Sequence, residues 1–135
     1  MTLSASKNPF PKIIREVTTQ ETWSTLEAQP SAMLVDVRTA GEWEEVGVPD
    51  ISAFNKKAVT LSWRTQPNMV LNTQFETELQ KAIPDRTTPL YFLCRSGGRS
   101  ADAAAAMAQL GYENCFNIIG GFTNWLAAEL PRSKA

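Results

Sequence analysis

From Pro89 to Gly111 the chain reads as one unit. Pro89-Leu90-Tyr91-Phe92-Leu93 is a short apolar and aromatic run that stops at Cys94. The composition then turns abruptly to arginine, serine and glycine, and an alanine-rich stretch from Ser100 to Leu110 follows. A run apolar at every position suits a strand covered on both faces, whereas the alanine stretch has high helix propensity, with Gly111 placed as its C-terminal stop. The unit is thus a buried strand that empties into a loop, and a loop that opens a helix. Ala32-Met33-Leu34-Val35-Asp36-Val37 is a second, nearly continuous apolar run. Cys115 to Ile119 is a third strand candidate, and Ala58 to Trp63 reads as a further short strand.

Helix signals separate these runs. Thr18 followed three residues later by Glu21 is a capping-box pattern and predicts an amphipathic helix over 19–29, with Trp23 and Leu26 inward and a turn at Pro30 and Ser31. Ala40 to Val46 reads as a brief acidic helical turn. Thr73 and Glu76 repeat the capping-box spacing, and Phe75, Leu79 and Ile83 fall at helical spacing before Pro84, which predicts a second helix. Gly120-Gly121 turns the chain into a last helix containing Trp125 and Leu126. Tails over 1–14 and 131–135 are expected to be flexible. Strands alternating with helices imply an α/β fold, a mostly parallel sheet flanked by helices with right-handed crossovers. Sites in such sheets form beyond the carboxyl ends of the strands, where Cys94 falls. The segment Asn55 to Met69 fits no pattern.

A length of 135 residues suits a single domain over 1–135, with one core that needs neither metal nor disulfide. The formal charge of −1, from 13 basic and 14 acidic residues, gives no electrostatic reason to expect nucleic acid or an acidic membrane as partner. The N-terminus lacks the apolar stretch of a signal peptide, and no segment approaches the roughly 18 uninterrupted apolar residues of a membrane span. Cys94 and Cys115 are too few for a secreted disulfide framework and too far apart for a CxxC pair or a zinc clip. The expectation is a soluble, cytoplasmic protein without metal or other cofactor, either monomer or homodimer. The chain contains no histidine, which removes Ser-His-Asp and Cys-His catalysis and His-ligated zinc at once.

The segment Cys94-Arg95-Ser96-Gly97-Gly98-Arg99-Ser100 meets the needs of a thiolate. Only the ionised sulfur attacks, so something must stabilise negative charge. A helix beginning near Gly98 to Ser100 presents unpaired amides and a favourable dipole to the loop. The two glycines let successive N–H groups converge into an anion-binding nest. Arg95 and Arg99 add positive charge around an oxyanion such as thiosulfate or a sulfonate. The competing account is a packed, inert strand-end cysteine, but it leaves two arginines, two glycines and two serines between a strand and a helix unexplained.

This loop resembles the active-site loop of rhodanese domains, in which a cysteine at the end of a central strand opens a cradle closed by an arginine or similar residue. Leu34-Val35-Asp36-Val37-Arg38, followed by Glu42-Trp43, is similar to that family's Asp-Val-Arg segment. Gly111-Tyr112 leading to Asn117-Ile118-Ile119-Gly120-Gly121 and Trp125 is similar to its closing strand, double glycine and tryptophan. The matches run in order from about Val17 to Leu130. The resemblance implies a three-layer fold around a five-stranded sheet. It also implies a sulfurtransferase that moves a sulfane sulfur from a small-molecule donor to cyanide, a small thiol or a protein thiol through a persulfide on Cys94. Arg95 would dock an anionic donor, Ser96, Gly97, Gly98 and Ser100 would line the cradle, and Arg99 would close it. Asp36 and Arg38 would support the loop, and an ion pair tying the sheet end to neighbouring loops is an equal reading of them. Many relatives carry a histidine where this chain has Gly47-Val48-Pro49-Asp50-Ile51, which leaves the local loop geometry open.

Other readings stay in view. Cysteine phosphatases and arsenate reductases share the fold but use a longer loop than the four residues between Cys94 and Arg99. A regulatory or carrier module without turnover is a third possibility. Cys115 could resolve an oxidised Cys94, although a packed, inert residue fits its position better. Trp43, Trp63 and Trp125 could form an apolar rim, with core packing favoured for Trp125. Glu42, Glu44 and Glu45 read as a solvated helix face, since adjacent carboxylates do not converge on one side of a helix.

Overall fold

The computed structural model describes residues 14–135, so the expected N-terminal tail lies, Ile14 apart, outside the described residues. In chain order the elements are β1 (Arg15–Val17), α1 (Thr19–Ala28), β2 (Met33–Asp36), α2 (Ala40–Val46), β3 (Val48–Pro49), a 3-10 turn (Ser52–Phe54), β4 (Val59–Thr60), β5 (Arg64–Thr65), β6 (Val70–Leu71), α3 (Phe75–Ala82), β7 (Leu90–Leu93), α4 (Gly98–Gln109), β8 (Cys115–Ile118), α5 (Gly121–Ala127) and β9 (Arg132–Ser133). Strands β1, β8, β7, β2 and β4 lie side by side in that order, and every neighbouring pair is parallel. The most apolar runs in the sequence, β2 and β7, occupy the interior of this sheet, as strands buried on both faces must.

Because successive side chains on a strand point to opposite faces, each strand feeds two cores. Leu34, Tyr91, Leu93 and Ile118 pack with Leu26 of α1 and with Phe122 and Trp125 of α5. Val35, Leu90, Phe92 and Cys115 pack with Phe75 and Leu79 of α3 and with Ala103, Ala104 and Met107 of α4. The result is the expected three-layer α/β arrangement. The small side chains of α4 bring its backbone close to the sheet, and each fully buried Phe or Leu contributes roughly 1.5–3 kcal/mol. Among the described residues no helix is long and apolar enough to cross a membrane.

Several local expectations are corrected. The predicted strand over 58–63 is only two residues long in the sheet, after which the chain forms the antiparallel hairpin of β5 and β6, whose first strand and turn lie in the segment Asn55 to Met69 that fits no pattern. The Thr73–Glu76 capping box does not form. The cap position is Gln74, whose side chain makes no capping bond, and its amide donates to Asn72 Oδ1 at 3.0 Å. After Pro131, where a loose tail was expected, β9 pairs antiparallel with β3. Strand β1 carried no sequence signal: its three residues are mostly exposed, and pairing with β8 alone defines it.

Candidate active site

Cys94 leaves the end of β7 on the α4 face of the sheet, in one cluster with Phe92, and is 1% exposed. Its Sγ accepts a hydrogen bond from the Gly97 amide at 3.0 Å and lies 3.2 Å from Ser100 Oγ. Gly97 turns its amide back toward the sulfur with φ at +120°, a conformation that side-chain-bearing residues rarely adopt. Helix α4 begins one residue later, so its N-terminal amides face the loop and favour an anion there. Among the described residues, the polar contacts to the sulfur are one amide and one hydroxyl.

Helix α5 braces the loop from behind. The Phe122 amide donates to the Cys94 carbonyl at 2.8 Å and the Thr123 amide to the Arg95 carbonyl at 3.1 Å. This approach explains the second glycine of the Gly120-Gly121 pair: a Cβ at Gly121 would sit 2.2 Å from the Cys94 carbonyl oxygen. A glycine here is a requirement of contact as well as of turning.

Arg99, expected to close the cradle, forms a forked ion pair with Glu42 of α2, with Nη1 to Oε1 at 2.6 Å and Nη2 to Oε2 at 2.9 Å. Burial works against ionisation of Glu42, but the hydrogen bonds from Arg99 and from the Thr39 amide outweigh it and bring the carboxyl down to about 2. The hydrogen bond to Glu42 likewise holds Arg99 more firmly protonated, against burial, with smaller attractions from Cys94 and Asp36. The acidic run of the sequence predicts a solvated face for Glu42. Glu44 and Glu45 do lie exposed, yet Glu42 ties α2 to the sulfur loop and also completes a capping box with Thr39. That Thr-x-x-Glu spacing was the signal available in the sequence.

The Glu42–Arg99 pair carries a pH-dependent part of stability. A carboxyl held at about 2 when folded and near 4.5 when free stabilises the fold fully above 4.5, and the contribution drains away as pH falls toward 2. Glu42→Gln is therefore expected to lower stability by about 1 kcal/mol at neutral pH, allowing for solvent screening of a half-buried pair. The deficit should shrink steadily below pH 4.5. Urea midpoints for both proteins between pH 7 and pH 2.5 check this, and a deficit that stays constant with pH would show that no charge is involved.

Asp36 and Arg38 meet in a buried ion pair of 2.7 Å, with side chains 0% and 1% exposed. Arg38 also donates to the Gly47 carbonyl at 2.8 Å, and its guanidinium lies 4.0 Å above the centre of the Phe122 ring. Asp36 alternates with Val35 and so faces α5, the opposite side of the sheet from Cys94 Sγ. Arg95, Ser96 and Gly98 are exposed at the mouth of the loop. A cleft of about 300 Å³ beside it, between α2 and α5, is lined by Arg38, Arg95, Val46, Phe122 and Leu126 among others. Another cleft, of about 460 Å³, is lined by Pro49, Lys57 and Thr60 but by none of the loop residues.

Cys115 opens β8 beside Leu90, at the far end of β7 from Cys94, and its Sγ lies 3.8 Å from the Tyr112 carbonyl. Four residues of strand rise separate the two cysteines by about 13 Å. A disulfide needs Cα atoms within about 7 Å, so Cys115 does not resolve Cys94 within this fold. Trp125 is fully buried, as favoured, and its indole donates to the Pro131 carbonyl. Two residues that sequence reasoning missed complete the site: Asn117 of β8, whose Oδ1 is 2.6 Å from Ser100 Oγ, and Glu16 of β1, which bonds Asn117.

The sequence model of the rhodanese-like domain family matches residues 18–128. A protein of Rickettsia conorii is 37% identical over 110 residues, covering 81% of this chain and 84% of that one. Thiosulfate sulfurtransferase GlpE of Haemophilus influenzae is 30% identical over 121 residues, covering 90% of this chain and 96% of the enzyme. A crystal structure from M. tuberculosis is similar with a TM-score of 0.82 and 33% identity, over 92% of this chain and 100% of that one.

Proposed function

The chain belongs to the rhodanese-like domain family, and from that membership we propose that it moves a sulfane sulfur from an anionic donor such as thiosulfate to a thiophilic acceptor, cyanide or a thiol, through a persulfide on Cys94. The observation that carries the proposal is the placement of Cys94 Sγ at a parallel-strand end, within reach of the Gly97 amide and the Ser100 hydroxyl. The reaction takes two displacements. The Cys94 thiolate attacks the outer sulfur of thiosulfate, the S–S bond breaks, and sulfite leaves with the electron pair. A nucleophilic acceptor then attacks the carried sulfur and Cys94 departs as thiolate. Neither step moves a proton at carbon or needs an imidazole. The Gly97 amide and the helix dipole of α4 stabilise the anion, and Arg95 at the mouth attracts the donor. The partners are thus a small-molecule donor and a small or protein thiol acceptor, in the cytoplasm, without nucleic acid, membrane or cofactor.

The engagement of Arg99 by Glu42 speaks against phosphate chemistry, because a phosphatase needs its loop arginine free for two phosphate oxygens. Intact-mass measurement after incubation with thiosulfate tests the proposal. One added sulfur atom per chain, located on the Cys94 peptide and removed by cyanide, is the expected result; an unmodified protein that nonetheless hydrolyses an aryl phosphate would reverse the assignment.

A further inference from the structure

Ser100 stands between two acceptors and has one hydrogen to give. Its Oγ is 3.2 Å from Cys94 Sγ and 2.6 Å from Asn117 Oδ1. All three residues are buried, Ser100 completely, Cys94 to 1% and Asn117 to 2% exposure, so the competition is settled among protein groups. The amide of Asn117 cannot simply turn over to help. Its Nδ2 donates at 3.0 Å to Glu16 Oε2, and an ionised carboxylate only accepts, so Glu16 fixes the carbonyl end of Asn117 toward Ser100. Glu16 and Asn117 are brought together by the pairing of β1 with β8, where they stand directly opposite each other.

We propose that Asn117 is a positioning residue that competes with the Cys94 sulfur for the single hydroxyl hydrogen of Ser100, in an orientation held by Glu16. The inference rests on Cys94 being the reacting thiol of the proposed function.

The competition follows the charge on sulfur. With a protonated thiol, S–H donates to Oγ and the serine hydrogen goes to Asn117, so every group is satisfied. As a thiolate, Sγ calls for the same hydrogen, and satisfying it leaves the Asn117 carbonyl without a donor. Once the cysteine carries a second sulfur, negative charge moves to the outer atom, Sγ becomes a weak acceptor, and the hydrogen returns to Asn117. The Asn117 carbonyl therefore raises the energy of the empty thiolate relative to the loaded state. It keeps the thiolate short of a hydrogen bond and correspondingly nucleophilic.

The test reads the nucleophilicity of the thiolate directly. The rate of iodoacetamide addition to the Cys94 peptide is measured at the high-pH plateau, where ionisation is complete, in the wild type, Asn117→Leu, Ser100→Ala and the double variant. Asn117→Leu frees the serine hydrogen for sulfur and is expected to slow alkylation about threefold, since a charge-assisted hydrogen bond is only partly felt in thiolate nucleophilicity. In the Ser100→Ala background the same substitution should change nothing, because no hydrogen remains to compete for. Glu16→Ala, at an exposed strand position, should act like a weaker Asn117→Leu by releasing the amide, while Glu16→Gln, which can still accept from Nδ2, should restore the wild-type rate. Glu16 substitutions also decide the matter if Asn117→Leu does not fold. Equal slowing by Asn117→Leu with and without Ser100, or no slowing in either Asn117→Leu or Glu16→Ala, would reduce the chain of contacts to packing. Thiosulfate loading is measured on the same proteins. If none of them takes up sulfur, the sulfurtransferase reading fails on its own, and the alkylation pattern still judges Asn117.

Discussion

Cys94→Ser is expected to cut thiosulfate-dependent thiocyanate formation by at least about a thousandfold, down to the assay floor, while leaving the protein folded. Serine is the informative substitution because it matches cysteine in shape and can accept from the Gly97 amide and meet Ser100 as Sγ does. What it lacks is a polarisable atom able to bond sulfur. Alanine in the same place would leave the Gly97 amide without its acceptor, so it mixes lost chemistry with a disturbed loop. The melting temperature of the serine variant should therefore stay within a few degrees of wild type, and its mass should not change with thiosulfate. Sulfur transfer surviving at more than a hundredth of the wild-type rate would move the reaction to another atom, and no other thiol lies near the loop: Cys115 is at the opposite end of the sheet.

What the sequence reveals about this site depends on how far apart the interacting residues lie. The strand ending at Leu93, the turn of the loop and the alanine helix are local patterns, and the structure places each within two residues of its expected bounds. The capping box at Thr18 and Glu21 is equally local and forms with both bonds. Yet the same spacing fails at Thr73, where the helix starts one residue later, with Gln74 at the cap position and its amide bonded to the Asn72 side chain. A four-residue pattern cannot rank such neighbours. The contacts that set the chemistry are of a different kind. Glu42 reaches Arg99 across 57 residues, and Asn117 reaches Glu16 across 101. In the sequence, Glu42 is one of three acidic residues and Asn117 is a polar residue in a strand. Only the parallel pairing of β1 with β8, itself unsigned in sequence, gives Asn117 its partner and hence its orientation.

Asp36→Ala should be the most damaging change outside the loop, costing about 3–5 kcal/mol. The reason is the charge left behind. Arg38 is 1% exposed and its shortest bond, 2.7 Å, is to Asp36, with Nε reaching the same carboxylate at 2.9 Å. Removing the acid leaves a guanidinium held by the Gly47 carbonyl and the Phe122 ring, neither of which carries a compensating charge. In a domain of this size the loss corresponds to a melting temperature lower by about 10–20 °C. The double change Asp36→Leu with Arg38→Met removes both charges and should recover much of the deficit, because apolar replacements of a buried pair are frequently near neutral. Activity per folded molecule should fall less than stability. The pair packs on the α5 face whereas Cys94 Sγ faces α4, and it reaches the loop through the β2–β7 register, in which Asp36 lies beside Leu93, and through Phe122, whose ring lies under Arg38 and whose amide holds the Cys94 carbonyl. A chemical-denaturation midpoint and a rate normalised to folded protein separate the two effects. A cost below about 1 kcal/mol for the single change would mean that water reaches Arg38 as it does a surface arginine, and the pair would then be a minor surface contact.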